Sequence, residues 1–355
     1  VRRLSDKATS GKATLRTSWP PVSLRVDLRA VAVISALSAL AFAGTAAHLV
    51  VGEYPIPLPD VARTLLGLQT GDSSNAFIVE TLRLPRALVA LAVGAALAVS
   101  GALLQGLTRN PLAAPDIIGI NAGAALVAVT LIVALPSVSS VYLPPAAFCG
   151  ALTVALLLYL LAWRGHSSPM RLILIGIGLS AVAQALTWLM IVSGNVQEVS
   201  SALVWLTGSV YARGWDELWA LLPWVVVLVP FALLYARHLN ALGLGDEVAT
   251  GLGSRVELSR GLLLLASAGL AAAGVATAGT MVFVGLVAPH IARGLVGPSA
   301  GALIPTAAVT GAALVVLSDL AGRVLFAPTE IPAGIVTAVL GAPYFLYLLY
   351  RNRNK

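Results

Sequence analysis

The residues able to do chemistry are few and widely spaced. The four histidines, His48, His166, His238 and His290, show no metal-ligand spacing, and the single cysteine, Cys149, cannot form an internal disulfide or a Cys-based metal site. Cys149 sits in an apolar run and reads as a small buried hydrophobe. Gly11-Lys12 is followed by Ala13 and has Asp6 where a phosphate-binding loop needs its first glycine, so that motif cannot cradle ATP. His290, after Pro289, reads as a turn or packing residue before it reads as a proton relay. Asp116, Asp319 and Glu330 fall at the ends of apolar runs and form no membrane-centred acidic chain. What remains is charge recognition. Arg83 and Arg86 stand three apart at the head of an apolar run, and the segment His238 to Arg260 mixes Asp246, Glu247 and Glu257 with Leu, Val and four glycines.

These residues need a membrane to position them. Of 355 residues, 58% are hydrophobic and only 10% charged, and mean hydropathy is +0.92; soluble chains carry about 25% charged residues. The expected fold is an all-α polytopic membrane protein with one packed membrane domain. Apolar spans are predicted near Ala30 to Val51, Leu84 to Leu107, Ile117 to Leu135, Leu143 to Trp163, Leu172 to Val192, Leu218 to Tyr235, Leu303 to Leu320 and Ile331 to Tyr350. Residues Leu262 to Val296 are too long for one span. Gly274, Gly279 and Gly285 offer breaks, which predicts a full span to Gly279 and a shorter return from Thr280 to Ala292, ten transmembrane helices in all. Charge supports ten: only Arg63, Arg83, Arg86, Arg213 and Arg323 of the 22 Lys and Arg residues then lie outside, with both termini cytoplasmic. Because excess Lys and Arg mark cytoplasmic loops, the net charge of +7 does not imply nucleic acid.

The domain reading is a basic, flexible cytoplasmic tail over 1–29 and a ten-helix membrane domain over 30–355, with a cytoplasmic segment at 238–258. That segment is expected to form two short amphipathic helices separated at Gly251 to Ser254. Ser193 to Leu222, with Trp205, Tyr211, Trp215 and Trp219, is expected to hold an interfacial helix. Gly94, Ala95, Ala98 and Gly101 recur at three- and four-residue steps and allow another helix to approach closely. Asn110-Pro111 reads as a helix stop and Asp116 as a polar cap for the following span.

Three blocks, RLPRALVALAVGAALAVSGALLQGLTRNPLAAPDIIGINAGA, FVGLVAPHIARGLVGP and EIPAGIVTAVLGAPYFLYLLYR, resemble the FecCD-type permeases, the membrane subunits of bacterial ABC importers for ferric siderophores, haem and cobalamin. The resemblance spans about Ala30 to Arg353. It implies a multi-pass subunit of the inner membrane, working by alternating access beside a second permease subunit, identical or closely similar. It also implies a cytoplasmic ABC ATPase dimer, an extracytoplasmic substrate-binding protein, surrounding lipid, and ATP with magnesium on the ATPase; this chain itself holds no cofactor or metal. By the same resemblance, Arg83, Arg86 and Arg323 dock the binding protein, Asp246, Glu247 and Gly251 couple to the ATPase, and Ser167 and Ser168 form a cytoplasmic gate. An ion-gradient-driven secondary carrier is the competing reading, and an intramembrane enzyme a third that lacks any visible nucleophile-base pair.

Overall fold

The computed structural model describes residues 12–16, 23–68, 73–162 and 168–352. Two short strands, β1 (Lys12–Arg16) and β2 (Ser23–Asp27), pair antiparallel, so part of the expected flexible tail is a β-ribbon. Helices follow: α1 (Leu28–Val50), α2 (Leu58–Leu65), α3 (Ser73–Ala76), a π-helical stretch (Phe77–Arg83) that runs directly into α4 (Leu84–Thr108), and α5 (Ile120–Ala134). A 3₁₀ turn (Ser140–Tyr142) leads into α6 (Leu143–Ala162), then come α7 (Pro169–Ser193), α8 (Val196–Thr207) and α9 (Trp215–Leu234). The chain closes with α10 (Ala236–Gly243), α11 (Asp246–Gly251), α12 (Val256–Ala278), α13 (Val284–Val296), α14 (Ala300–Val324) and α15 (Ala333–Asn352).

Among the described residues, 8 helices are long and apolar enough to cross a membrane, and α5 and α13 are shorter apolar helices. Both short helices fall where apolar spans were predicted, and α13 is the return expected after Gly279. α8 takes the place of the expected interfacial helix.

Burial sorts the helices into a centre and a shell. In α4 and α12, 78% and 89% of the apolar window is buried, against 17% in α1 and α9 and 28% in α7 and α15. A helix that is apolar on every side yet mostly uncovered needs lipid or another apolar partner around it. Cys149 belongs to that shell: it is exposed on α6, correcting its reading as a buried hydrophobe. In a membrane helix, apolar neighbours in sequence fail to distinguish the lipid face from the packed one.

Small residues let α4 sit at the centre. A Cβ on Gly94 would meet the Gly311 carbonyl of α14, and a Cβ on Gly101 would meet the Gly285 carbonyl of α13. At both places backbone lies on backbone, an approach only glycine permits. Against α12 the packing is apolar, with Leu97 on Gly274, and includes one polar tie. Ser100 Oγ donates to the Ser267 carbonyl at 2.8 Å, and Ser267 Oγ donates back to the Ser100 carbonyl at 3.0 Å, with both serines fully buried.

Loop 109–119 turns back into the helix layer. Pro115 packs against Gly285, and the Asp116 carboxyl faces the Phe283 backbone N–H at the start of α13. Asp116 therefore lies against the start of α13, a helix distant in sequence, while α5 starts after Gly119 with no side-chain cap. Phe283 itself adopts φ 67°, which lets the chain reverse from α12 into α13.

Candidate functional site: two charged ends of one bundle

The polar side chains gather at the two ends of α4. At its beginning, Arg83, Arg86 and Arg323 come together, as the sequence reading required, but they are buried to 6%, 8% and 8% exposure. Arg83 Nη1 donates to the Leu49 carbonyl at 2.7 Å, and Nη2 donates to the Tyr54 carbonyl. Arg323 Nη2 donates to the His48 carbonyl at 2.7 Å and to the Val51 carbonyl. Two arginines from different helices thus satisfy carbonyls left free where α1 ends, a task that falls to side chains when a helix terminus is buried.

Arg86 has acidic partners. Its Nε donates to Asp319 Oδ2 at 2.8 Å and its Nη2 to Asp319 Oδ1 at 2.9 Å, a two-pronged contact that a guanidinium fits well. Arg86 Nη2 also lies 3.0 Å from Glu330 Oε2, and its guanidinium carbon lies 5.3 Å from the centre of the Tyr211 ring. His48 Nε2 lies 2.7 Å from Asp319 Oδ2, so the N–H of that nitrogen donates to the carboxylate, while Nδ1 has no hydrogen-bond partner. All three arginines are held by bonds within the chain, Arg83 and Arg323 to backbone carbonyls and Arg86 to Asp319 and Glu330. Residue type and spacing located the cluster, but the ligands are backbone carbonyls and acids 29 to 275 positions away, which spacing does not reveal. A cavity of about 800 Å³ opens beside it, lined in part by Glu53, Arg86, Ser201, Tyr211, Arg213 and Glu330.

The opposite end is built on α10 and α11, which separate at Leu244-Gly245, where Gly245 has φ 113°. The expected break at Gly251 to Ser254 is instead the turn from α11 into α12. Asp246 opens α11 and is gripped twice: Arg109 Nη2 and Arg260 Nη2 both donate to its Oδ1, the latter at 2.8 Å. Partial burial works against the Asp246 charge, but the Arg260 hydrogen bond and the charges of Arg260 and Arg109 outweigh it and hold the carboxyl below its ordinary pKa. Arg109 sits in the left-handed region (φ 51°) just past α4, from which its Nε also donates to the Leu242 carbonyl at 2.8 Å. Asn240 Oδ1 accepts from the Ala300 backbone N–H at 2.8 Å, tying α10 to the start of α14.

Of the other residues proposed at this end, Glu247 and Gly251 are exposed, and nothing lies within 4 Å of a Cβ placed on Gly251. Leu244, Val248 and Leu252 stand out to solvent beside them. Ser168 precedes α7, and Ser167 lies outside the described residues. On α13, His290 packs edge-on against Tyr344, with ring centres 5.9 Å apart, in keeping with a packing role. Among the described residues there is no group of three or more His, Cys, Asp or Glu able to hold a metal.

Residues 39–351 match the FecCD transport family. The chain belongs to that family. FecCD relatives include the achromobactin transport system permease protein CbrC of Dickeya dadantii, 45% identical over 94% of this chain and 95% of its own. Another is the iron(3+)-hydroxamate import system permease protein FhuG of Bacillus subtilis, 44% identical over 79% of this chain and 86% of its own. Among solved structures, an inward-facing metal-chelate type ABC transporter superposes with a TM-score of 0.81 at 31% identity, covering 90% of this chain and 99% of that one. As a FecCD member the chain is a membrane permease subunit of an ABC importer, and ATP hydrolysis is the work of a partner chain.

Proposed function

We propose that this FecCD permease carries a ferric chelate, a siderophore or a related iron complex, into the cytoplasm of a bacterium. The iron-chelate names of its close relatives support that substrate class. The observation that carries the mechanism is the α10–α11 segment: its inner side is pinned to three helices, and its outer side offers Glu247, Val248, Gly251 and Leu252 to solvent. A short exposed helix anchored in this way suits a groove on an ABC ATPase dimer, which binds the ATP and magnesium. The α10–α11 end then faces the cytoplasm, with both termini of a ten-pass subunit on that side of the inner membrane.

The arginine end faces outward and receives an extracytoplasmic binding protein. Arg83, Arg86 and Arg323 serve that face from within, by fixing the Val51 to Ile56 loop and Glu330, while Arg213 and Glu53 border the cavity. The sparsely buried α7 and α15 supply faces for a second permease subunit and for lipid, and Ser167 with Ser168 closes the cytoplasmic mouth.

Proteoliposomes holding this chain and its cognate ABC ATPase test the reading, with the cognate binding protein loaded with a radiolabelled ferric hydroxamate or ferric citrate-type siderophore outside. ATP inside the vesicle drives iron accumulation, and Gly251→Trp abolishes it. Accumulation that needs only an ion gradient and no ATPase would refute the assignment.

A further inference from the structure

We infer that Asp246 is a transmission residue: through Arg109 and Arg260 it links the α10–α11 segment to the central helices α4 and α12, so movement imposed on that segment reaches the buried bundle. The inference rests on the ATPase-coupled reading above. It separates Asp246 from Glu247 and Gly251, its neighbours in the expected coupling group.

Geometry makes the separation. Glu247 and Gly251 face solvent, whereas the Asp246 Oδ1 atom is shared by two guanidinium groups from two different helices. Arg260 is 1% exposed and lies in the first turns of α12. Arg260 also pairs with Glu257 at 3.5 Å within its own helix, so its guanidinium is fixed on α12 and holds Asp246 from there. Arg109 grips both Asp246 and the Leu242 carbonyl, so it spans the bend between α10 and α11. Leu239 packs on Gly106 of α4, where a side chain would collide with it. With Asn240 on the α14 terminus, three bundle helices are fastened to one short segment. The Asp246 bridge joins α11, the outer member, to two of them. A solvated connector has no use for such fastening, while a segment that must carry displacement does.

The test uses the full permease–ATPase complex in nanodiscs and needs no substrate. The parent chain carries Cys149→Ala and Ser201→Cys, which places one thiol in the cavity at the arginine end. The probe is a membrane-impermeant maleimide, and its reaction rate is compared without nucleotide and with ATP plus vanadate. In the parent chain, nucleotide changes the rate. In Asp246→Asn the ATPase still co-purifies and hydrolyses ATP, yet the nucleotide-dependent change in labelling is lost; Asp246→Glu, which keeps the charge, restores it. Arg109→Gln weakens the change in the same direction. Unaltered nucleotide dependence in Asp246→Asn would overturn the inference, and so would loss of ATPase binding in that variant, which would make Asp246 a docking residue. If the parent chain itself binds no ATPase, the failure lies with the coupled reading on which the inference stands.

Discussion

Replacing Arg86 by methionine removes the cation from a buried carboxylate while preserving most of the side-chain volume. Asp319 is 1% exposed and lies five residues inside the end of α14, about 8 Å along the helix axis. Losing one member of such a pair costs about 3–5 kcal/mol, since the remaining charge is left without compensation. Removing both charges together with Asp319→Leu avoids that penalty. His48 then loses its acceptor, at about 1–3 kcal/mol. The double variant should therefore be more stable than Arg86→Met alone, and far more stable than the summed single effects. Unfolding by SDS from mixed micelles, followed by circular dichroism, gives the four corners of the cycle. Arg63→Ala is the control: its pair with Asp60 is 3.7 Å long and open to solvent, worth about 0–1 kcal/mol. An Arg86→Met chain as stable as the Arg63→Ala chain, or a double variant worse than the sum of its parts, would refute the tie. The same geometry explains why Arg83→Glu with Arg86→Glu is a poor docking probe: the new carboxylate at position 86 would face Asp319 and Glu330 directly.

Other perturbations follow from the packing. Gly101→Ala forces a methyl group into the Gly285 carbonyl and should prevent stable folding, whereas Gly301→Ala enters open space on α14 and should be neutral or stabilising by up to about 1 kcal/mol; detergent thermal melts distinguish them. Ser100→Ala alone should cost about 0.5–1.5 kcal/mol by removing one of the two crossed hydrogen bonds while Ser267 keeps its bond to the Ser100 carbonyl, and adding Ser267→Ala should cost about as much again in the same melts. The Asp246 bridge should be indifferent to pH between 5 and 8. Its carboxyl pKa is depressed on folding, so the stability it contributes is fully present above the unfolded value of about 3.9 and disappears only as pH falls below that. Maleimide labelling of the nucleotide-bound complex at pH 5.5 and 8, corrected for thiolate fraction, should show the same nucleotide response; a response lost at pH 5.5 would contradict it.

The helices were legible because a bilayer imposes one length and one composition on each crossing. Even the short α13 could be placed, since 35 apolar residues cannot be a single pass and Gly279 marks the break. The partners of each charge were not legible. Arg109 stands just before the Asn110-Pro111 helix stop, and nothing in its own neighbourhood indicates a carboxylate at position 246. Asp116 looked like a local cap, and only the folding of loop 109–119 beneath Gly285 reveals the helix it serves. The exposure of Cys149 escapes the sequence for a related reason. In lipid, hydrophobic periodicity no longer separates inside from outside, so exposure on a membrane helix must be read from packing.

The glycine contacts of α4 have a further consequence for comparing conformations of such a carrier. Backbone resting on backbone at Gly94–Gly311 and Gly101–Gly285 leaves no side-chain layer to shear, so α4, α13 and α14 move as one body. Any two functional states of this subunit are best superposed on those three helices, and the displacement that remains, in the helices outside them, is the transport stroke.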